Sequence, residues 1–284
     1  MGRGARIASI TALALALAVG ASGAGLERSA AGQASPRRAP PWLGVELDNA
    51  GSDAKGALVR HAVRSSPSWN AGLRDGDVIV RIGDVGTRSP DDVIREVGSH
   101  APGATLRISV LRAGAPFSFN ATLGTMPDRD EMLRLDKVGA MAPSWKGMSA
   151  VAGPLPGAID ELRGRVVVLD FWATWCMACR MSAPKLTSWQ AKFGAQGLSV
   201  IGITDDPVEE ASQGVQSFGM KYAAVGSDPS YSTQRAFGVR ALPTVFIIDK
   251  RGVVRDVSVG FDPRKEAEME ALLLQLLAEP GPTR

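Results

Sequence analysis

The stretch VVVLDFWATWCMAC, from Val166 to Cys179, decides the fold of this 284-residue chain. Its first four residues are apolar and run directly into Asp-Phe-Trp at 170–172, a pattern typical of a strand buried on both faces of a sheet. The residues that follow, RMSAPKLTSWQAKF at 180–193, place apolar side chains at helical intervals. The sequence therefore predicts a central strand leading into a helix, with Cys176 in its first turn and Cys179 one turn further on the same face.

The two cysteines are the only ones in the chain, and they are spaced C-x-x-C. Unpaired backbone N–H groups and the helix dipole stabilise an anion at a helix N-terminus, so a thiolate at Cys176 gains most from this position. Cysteines in such motifs have pKa values of roughly 3.5–7.5, against about 8.5 for a free thiol. We therefore expect Cys176 to attack a disulfide of a partner protein and Cys179 to resolve the mixed disulfide that forms.

Two other uses of a C-x-x-C pair are weighed against this one. A zinc site needs four ligands, and beyond the cysteines the chain offers only His61 and His100, both more than 75 residues upstream of Cys176. A purely structural disulfide across so short a loop removes little chain entropy and stabilises little. We therefore expect a redox role, with no metal and no cofactor.

A family resemblance rests on these residues. DFWATWCMAC at 170–179, together with Pro184 and ALPTVFIID at 241–249, resembles the thioredoxin-fold thiol:disulfide oxidoreductases of the TlpA and ResA kind. The resemblance runs from about residue 138 to about 277. It implies an α/β thioredoxin fold, with three layers and a central mixed sheet, for residues 138–280.

The resemblance also assigns roles. It makes Cys176 and Cys179 a redox-active disulfide and places at Pro243 a cis-proline that faces them. A cis X-Pro bond exposes the backbone before it for strand-like pairing with a substrate. The residues that correspond to substrate-positioning residues are Trp175, Leu242 and Thr244.

Asp170 departs from many members of that family, which have Asn there, and resembles the buried aspartate of thioredoxin itself. A carboxylate buried near a thiol has a raised pKa and can take the proton from Cys179. The alternative is an aspartate that is merely satisfied by hydrogen bonds at a strand end. The intervening pair, Met177 and Ala178, adds no charge to stabilise the thiolate, which favours a reductant or isomerase over a strong oxidant.

The remaining pattern of the second domain predicts further elements. The order strand, helix, strand, helix, hairpin, helix suggests a three-layer arrangement. We expect a Gly- and Pro-rich hairpin at 147–157, a buried strand at 198–206, helices at about 207–219 and 229–237, strands on both sides of a turn at 250–252, and a last helix from Asp262.

The chain begins with the pattern of a targeting segment. Residues 1–24 combine two arginines, an apolar run at 7–19 and a small-residue end, so they read as a signal peptide with cleavage after Ala21 or Ala24. The apolar run is shorter than the roughly 17–25 residues that span a bilayer, and an uncleaved anchor is the alternative. We therefore expect a periplasmic or otherwise exported protein, and residues 25–41 read as a flexible linker.

Charge argues against one class of partner. Removing residues 1–24 takes away two positive charges, so the formal net charge falls from +3 to +1. Such a chain has no electrostatic footprint for nucleic acid, and we expect no nucleic-acid partner.

Residues 42–124 alternate short apolar runs with turns, which predicts a small β-rich domain with one long helix at 90–99. Ser89 can cap this helix and Pro90 fits its first turn. Both histidines are expected at the surface. Residues 125–137 are charged and read as a connector with one or two helical turns.

Residues 42–124 are similar to PDZ domains of the bacterial HtrA type. The similarity rests on SPSWNAGLRDGDVIVRIGDVGTRSPDDV at 66–93 and WLGV at 42–45. In such domains the C-terminal strand of a partner adds to a sheet edge, and backbone N–H groups hold its carboxylate. The resemblance gives that role to the N–H groups of Leu43, Gly44 and Val45. The resemblance also implies that Val45 and Leu47 begin the receiving strand, and that Ile94 and Val97, with Leu47, line the side-chain pocket. The alternative is that these apolar residues are simply core.

Together these features predict an exported thiol:disulfide oxidoreductase whose PDZ-like domain recruits partner C-termini. The expected partners are protein thiols and disulfides and a membrane electron donor. The alternatives are an oxidant that installs disulfides and a non-catalytic binding protein with a structural disulfide. No Gly-x-Ser-x-Gly element supports a serine protease. The threonine-cysteine spacing expected of peroxidases is also not matched, because Thr174 lies two residues before Cys176.

Overall fold

The structure is a computed structural model that describes residues 39–51 and 56–281. The expected signal peptide and nearly all of the expected linker lie outside the described residues. The described residues, 39–51 and 56–281, belong to one compact unit. None of the described helices combines the length and the apolar character needed to cross a membrane.

The first domain is a strand-rich unit with two helices. Its elements are β1 (Pro41–Trp42), β2 (Val45–Asn49), β3 (Ala57–Ala62), α1 (Pro67–Ala71), β4 (Val78–Ile82), β5 (Val85–Gly86), α2 (Pro90–Gly98), β6 (Thr105–Arg112), β7 (Ala115–Thr122) and β8 (Gly124–Thr125). The main sheet has the order β2-β3-β4-β6-β7 with antiparallel pairing, and β1 pairs with β8. The strand-rich first domain is therefore confirmed.

Local signals explain both helices. The helix expected at 90–99 is present as α2, with the Ser89 side chain accepting a hydrogen bond from the Asp92 N–H and a proline in the first turn. The shorter helix α1 was not expected from the sequence. It begins with the same devices, because the Ser66 hydroxyl accepts from the Trp69 N–H and a proline occupies the first turn. Unlike α2, it ends at a glycine, Gly72, in the left-handed conformation. The expectation of a single helix was therefore wrong.

The connector and the second domain follow. Their elements are α3 (Arg129–Lys137), β9 (Ser149–Ala152), β10 (Val166–Phe171), α4 (Met177–Phe193), β11 (Leu198–Thr204), α5 (Val208–Ser217), β12 (Ala224–Ser227), α6 (Ser232–Phe237), β13 (Thr244–Ile248), β14 (Val254–Val259) and α7 (Pro263–Ala278). Short 3₁₀ turns lie at Ile159–Leu162 and Gly194–Gln196. At nine residues, α3 is longer than the one or two turns expected for the connector.

The second domain is a mixed sheet between two helical layers. Its strand order is β14-β13-β10-β11-β12-β9, with β10, β11 and β12 parallel and the other pairings antiparallel. Every residue of β10 is buried, since Val168 packs with residues of α4 and α7 while Leu169 packs on the opposite face with residues that include Phe237 of α6. The three-layer α/β fold with a central mixed sheet is confirmed.

Two expectations for this domain were wrong. Residues 147–157 do not form a hairpin, because β9 pairs with the distant β12 and closes one edge of the sheet. The helix expected at 229–237 begins only at Ser232, because Asp228 makes a loop before it and accepts hydrogen bonds from the Ser232 hydroxyl and the Thr233 N–H.

Candidate active site

The disulfide lies where the central strand passes into α4. Cys176 is the N-cap residue of α4, immediately before the first turn in which it was expected, and its sulfur accepts a hydrogen bond from the Cys179 N–H at 3.1 Å. Cys176 and Cys179 form a disulfide, and Cys176 keeps 5% of its surface exposed whereas Cys179 keeps none. In the reduced protein the same N–H group and helix dipole would stabilise a thiolate at Cys176 more than at Cys179.

Exposed apolar side chains border the disulfide in the sequence. Trp175 is 72% exposed, Met177 is 66% exposed and Met181 is 51% exposed, and we call these three residues the apolar rim. Met177 and Met181 are four residues apart on α4 and so share a face of the helix, and methionine adapts to partners of different shape. The apolar rim therefore suits contact with an apolar segment of another protein.

The loop before β13 lies beside the buried side chains that surround the disulfide. The Leu242–Pro243 peptide bond is cis, as the resemblance implies, and Leu242 packs against the buried cluster that contains both cysteines. Thr244 pairs with Phe171 at the end of the central strand. The side chain of Thr244 is fully buried and its hydroxyl donates to the Ala241 carbonyl at 2.7 Å, so this side chain is not exposed to a substrate.

Asp170 is a fully buried residue of the central strand, β10. Its Oδ2 accepts a hydrogen bond from the Tyr222 hydroxyl at 2.8 Å, while its Oδ1 has no hydrogen-bond partner among the described residues. Burial raises the pKa of Asp170 to about 7, against the opposing effect of the Tyr222 hydrogen bond. Within the described part of the chain, only one of the two carboxyl oxygens is therefore hydrogen-bonded. The group is suited to exchange a proton near neutral pH.

Tyr222 is the site residue that sequence reasoning missed. It lies in the loop before β12 and contacts the disulfide cluster, 52 residues along the chain from Asp170. Burial, followed by the charge of Asp170, raises the pKa of Tyr222 well above 10, so its hydroxyl remains a donor. The one available signal was its place as a polar residue directly before a short buried run, which does not by itself indicate a partner.

Two serine hydroxyls donate hydrogen bonds to the predicted carboxylate-binding loop. The carbonyl of Gly44 accepts hydrogen bonds from the Val63 N–H, the Ser68 hydroxyl at 2.9 Å and the Ser66 hydroxyl at 3.3 Å. Gly44 has φ +84°, a conformation that glycine adopts without strain. Within the described part of the chain, the N–H groups of Leu43 and Gly44 make no hydrogen bond to other backbone groups.

The predicted groove residues lie on an edge strand and a helix. Strand β2 is at the edge of its sheet, and Val45 and Leu47 are half-buried against the core. Ile94 on α2 is 63% exposed. Val97 instead packs within the core, so it can form only the floor of a pocket.

His61 joins the first domain to the connector. Its Nε2 lies 2.6 Å from Asp136 Oδ1 of α3, and its Nδ1 lies 3.4 Å from Asp75 Oδ2. Burial lowers the pKa of His61, but the hydrogen bonds and charges of Asp136 and Asp75 outweigh it, so the pKa is raised above 6.5. On the other side, Arg134 of α3 donates to the Val257 carbonyl of β14 at 2.7 Å. His61 is therefore a bridging residue as well as a partly exposed one.

Comparisons with known proteins agree with both halves of this description. The AhpC/TSA family matches residues 138–257, and the PDZ domain family matches residues 41–123. The thiol:disulfide interchange protein DsbE of Xylella fastidiosa (strain 9a5c) is 32% identical over 149 residues, which are 52% of this chain and 72% of that protein.

Two further relatives cover different shares of their own length. The thiol-disulfide oxidoreductase ResA of Bacillus anthracis is 28% identical over 165 residues, 57% of this chain and 89% of that protein. The protein DipZ of Mycobacterium bovis is 30% identical over 190 residues, 63% of this chain. The chain spans 26% of the length of DipZ. With the disulfide at the start of α4 and the cis-proline before β13, this chain belongs to the family of thioredoxin-fold thiol:disulfide oxidoreductases and carries a PDZ domain ahead of its redox domain.

Proposed function

We propose that this protein is an exported disulfide reductase or isomerase of partner proteins. The observation that carries the proposal is the sulfur of Cys176 at the N-cap of α4, where it accepts the Cys179 N–H. That position stabilises an attacking thiolate and leaves the second sulfur one turn away to resolve the product.

The reaction begins with the reduced protein. The thiolate of Cys176 attacks one sulfur of a partner disulfide, the partner S–S bond breaks, and its other sulfur leaves with the electron pair and takes up a proton. Cys179 then gives its proton to Asp170 and attacks the sulfur of Cys176. The bond between Cys176 and the partner breaks, and the second partner sulfur leaves as a thiolate and is protonated. The partner has gained two electrons and two protons, and the protein ends as the Cys176–Cys179 disulfide.

Partner contact in this proposal comes from three places. The apolar rim contacts an apolar segment around the partner disulfide, and the backbone before Pro243 pairs with an extended strand of the partner. The PDZ domain takes the partner C-terminus along β2, with its carboxylate on the N–H groups of Leu43, Gly44 and Val45. A membrane protein that supplies electrons would return the dithiol to its reduced form.

Insulin reduction by the full-length protein, with dithiothreitol as the electron source, tests the reaction. Cys176→Ser is expected to abolish turnover. Cys179→Ser is expected to stop after attack and to accumulate a mixed disulfide with insulin, visible by mass spectrometry and reversed by excess dithiothreitol. Turnover by both variants at the wild-type rate would refute the proposal.

The midpoint potential separates the alternatives. A reductant is expected near the value of thioredoxin, about −270 mV, and an oxidant that installs disulfides near that of DsbA, about −120 mV. A potential far below about −300 mV without insulin turnover would instead indicate a structural disulfide in a binding protein.

Gly44→Ala tests the peptide site. The added Cβ would lie 2.2 Å from the Cβ of Ser66. The new alanine would also have to adopt φ +84°, which strains a residue that has a side chain. The substitution is expected to distort the carboxylate-binding loop and weaken binding of a fluorescent C-terminal peptide at least tenfold, with the amidated peptide as the control. Gly51→Ala has open space around its Cβ and is the matched glycine control.

Export is tested separately. Expression in a Gram-negative bacterium is expected to place the processed protein in the periplasmic fraction, with a new N-terminus after Ala21 or Ala24. Recovery of the unprocessed chain from the cytoplasm would contradict this part of the proposal.

A further inference from the structure

The partly buried Tyr222 donates a hydrogen bond to the fully buried Asp170 beside the cluster that contains the disulfide. The Tyr222 hydroxyl lies 2.8 Å from Asp170 Oδ2, and Asp170 is fully buried. The Tyr222 side chain packs against the cluster that contains Cys176 and Cys179. The carboxyl group is therefore held by a residue that itself packs against the buried cluster around the disulfide.

The surroundings of Asp170 leave few other groups that could control it. Its neighbours across the sheet are Gly202 on β11 and Val245 on β13, and neither side chain titrates. Among the described residues, burial and the Tyr222 hydroxyl are the influences on the pKa of Asp170, the first raising it and the second lowering it. The cysteines do not titrate while they form the disulfide. Tyr222 is thus the side chain through which the protein favours the ionised form of Asp170.

The two oxygens of the carboxyl group are in different situations. Oδ2 accepts the Tyr222 hydroxyl, whereas Oδ1 is buried and has no partner in the described part of the chain. An unpaired buried oxygen is costly, and a catalytic role is one of the reasons for which such a group is retained. The hydrogen bond from Tyr222 therefore decides which oxygen remains available.

We propose that Tyr222 is a positioning residue for the proton transfer of the dithiol reaction. Its hydroxyl holds Asp170 through Oδ2 and keeps Oδ1 free to receive the proton of Cys179. In this step the S–H bond of Cys179 breaks, its electron pair stays on sulfur as the attacking thiolate, and the proton binds Oδ1 to give a neutral carboxyl group. The inference rests on the proposed reduction of partner disulfides.

The variant that tests this is Tyr222→Phe in the full-length protein. Loss of the donor is expected to raise the titration midpoint of Asp170 by about one pH unit, followed by ¹³C NMR of the carboxyl carbon in the oxidised protein. The pH profile of insulin reduction is expected to move in the same direction. The rate at pH 7 should fall about fivefold and approach the wild-type rate above about pH 9, because less of the base is ionised at neutral pH.

The chain offers a matched control, because its only other tyrosine is the exposed Tyr231. Tyr231→Phe is expected to change neither readout. In that background, replacing the remaining tyrosine with fluorotyrosine strengthens the donor without removing it, and this should lower the midpoint of Asp170. Adding Tyr222→Phe to Asp170→Asn should have no further effect on the pH profile.

Two failures can be told apart by these measurements. A midpoint and pH profile unchanged in Tyr222→Phe would overturn the role of Tyr222, even if the wild-type protein reduces insulin. Absence of insulin reduction by the wild-type protein would overturn the proposed function, whereas the NMR titration uses oxidised protein and needs no turnover.

Discussion

Asp170→Asn is expected to stabilise the oxidised protein, and to do so more strongly as the pH rises. Burial raises the pKa of the carboxyl group from its ordinary 3.8 to about 7 in the folded state. The unfolded chain releases this proton near pH 4, while the folded chain keeps it until about pH 7. Stability is therefore lost as the pH rises through this window, and Asn at the same position avoids the loss.

The size of the effect follows from the two pKa values. At 1.36 kcal/mol per pKa unit, the change from 3.8 to about 7 corresponds to about 4 kcal/mol in the free energy of unfolding. About 3 kcal/mol of this falls between pH 5 and pH 8.5. The stability difference between Asp170→Asn and wild type should grow by that amount across this interval.

Urea unfolding of the oxidised full-length proteins, followed by circular dichroism at the two pH values, measures the difference. Asp228→Asn provides a buried aspartate with the opposite behaviour. Burial tends to raise the pKa of Asp228, but hydrogen bonds from groups that include Ser230 and Thr233 outweigh it and hold the pKa at about 2. This variant should be destabilised by the same amount at pH 5 and pH 8.5. An equal stability difference at both pH values for Asp170→Asn would refute the reasoning.

Three further predictions concern other contacts. Arg112→Gln leaves the fully buried Asp77 without its ion-pair partner. The free energy of unfolding of the first domain, measured in urea, should fall by about 2–3 kcal/mol. This is less than the usual loss for a buried pair, because Arg112 is partly exposed. His61→Gln removes the contact with Asp136, whose contribution of about 1 kcal/mol is present below pH 6.5 and is lost as the pH rises through the raised pKa of His61. Urea unfolding should therefore show a larger destabilisation at pH 5.5 than at pH 8.5. Trp175→Ala should change stability by less than about 0.5 kcal/mol, because the side chain is 72% exposed, and should lower kcat/KM for insulin about tenfold.

The central strand and the active-site helix could be predicted because their signals are local. Residues 166–171 form an unbroken buried run, and the cysteines follow within a few positions, so strand, turn and helix are all specified by neighbours in the sequence. The same holds for α2, where the capping serine and the proline are adjacent. At each of these places local propensity and tertiary packing favour the same structure.

The missed features depend on contacts between distant residues. Strand β9 is only four residues long, and its pairing with β12 joins segments about 75 residues apart. Neither strand has the alternation that identifies a strand in isolation, since β12 is buried along its whole length and β9 lies at the sheet edge. The hydrogen bond from Tyr222 to Asp170 likewise spans 52 residues and exists only after the sheet has formed. Sequence could identify the carboxyl group but not its donor.

The full chain holds two cysteine sulfurs, and the structure joins them in one bond. Each molecule can therefore carry only one electron pair, in its reduced dithiol, and it has no third thiol to which that pair could pass. Without a continuing supply of reducing equivalents, each molecule should convert one partner bond and then stop. The pre-steady-state burst should therefore equal the concentration of reduced protein, and the amplitude of that burst counts active molecules directly.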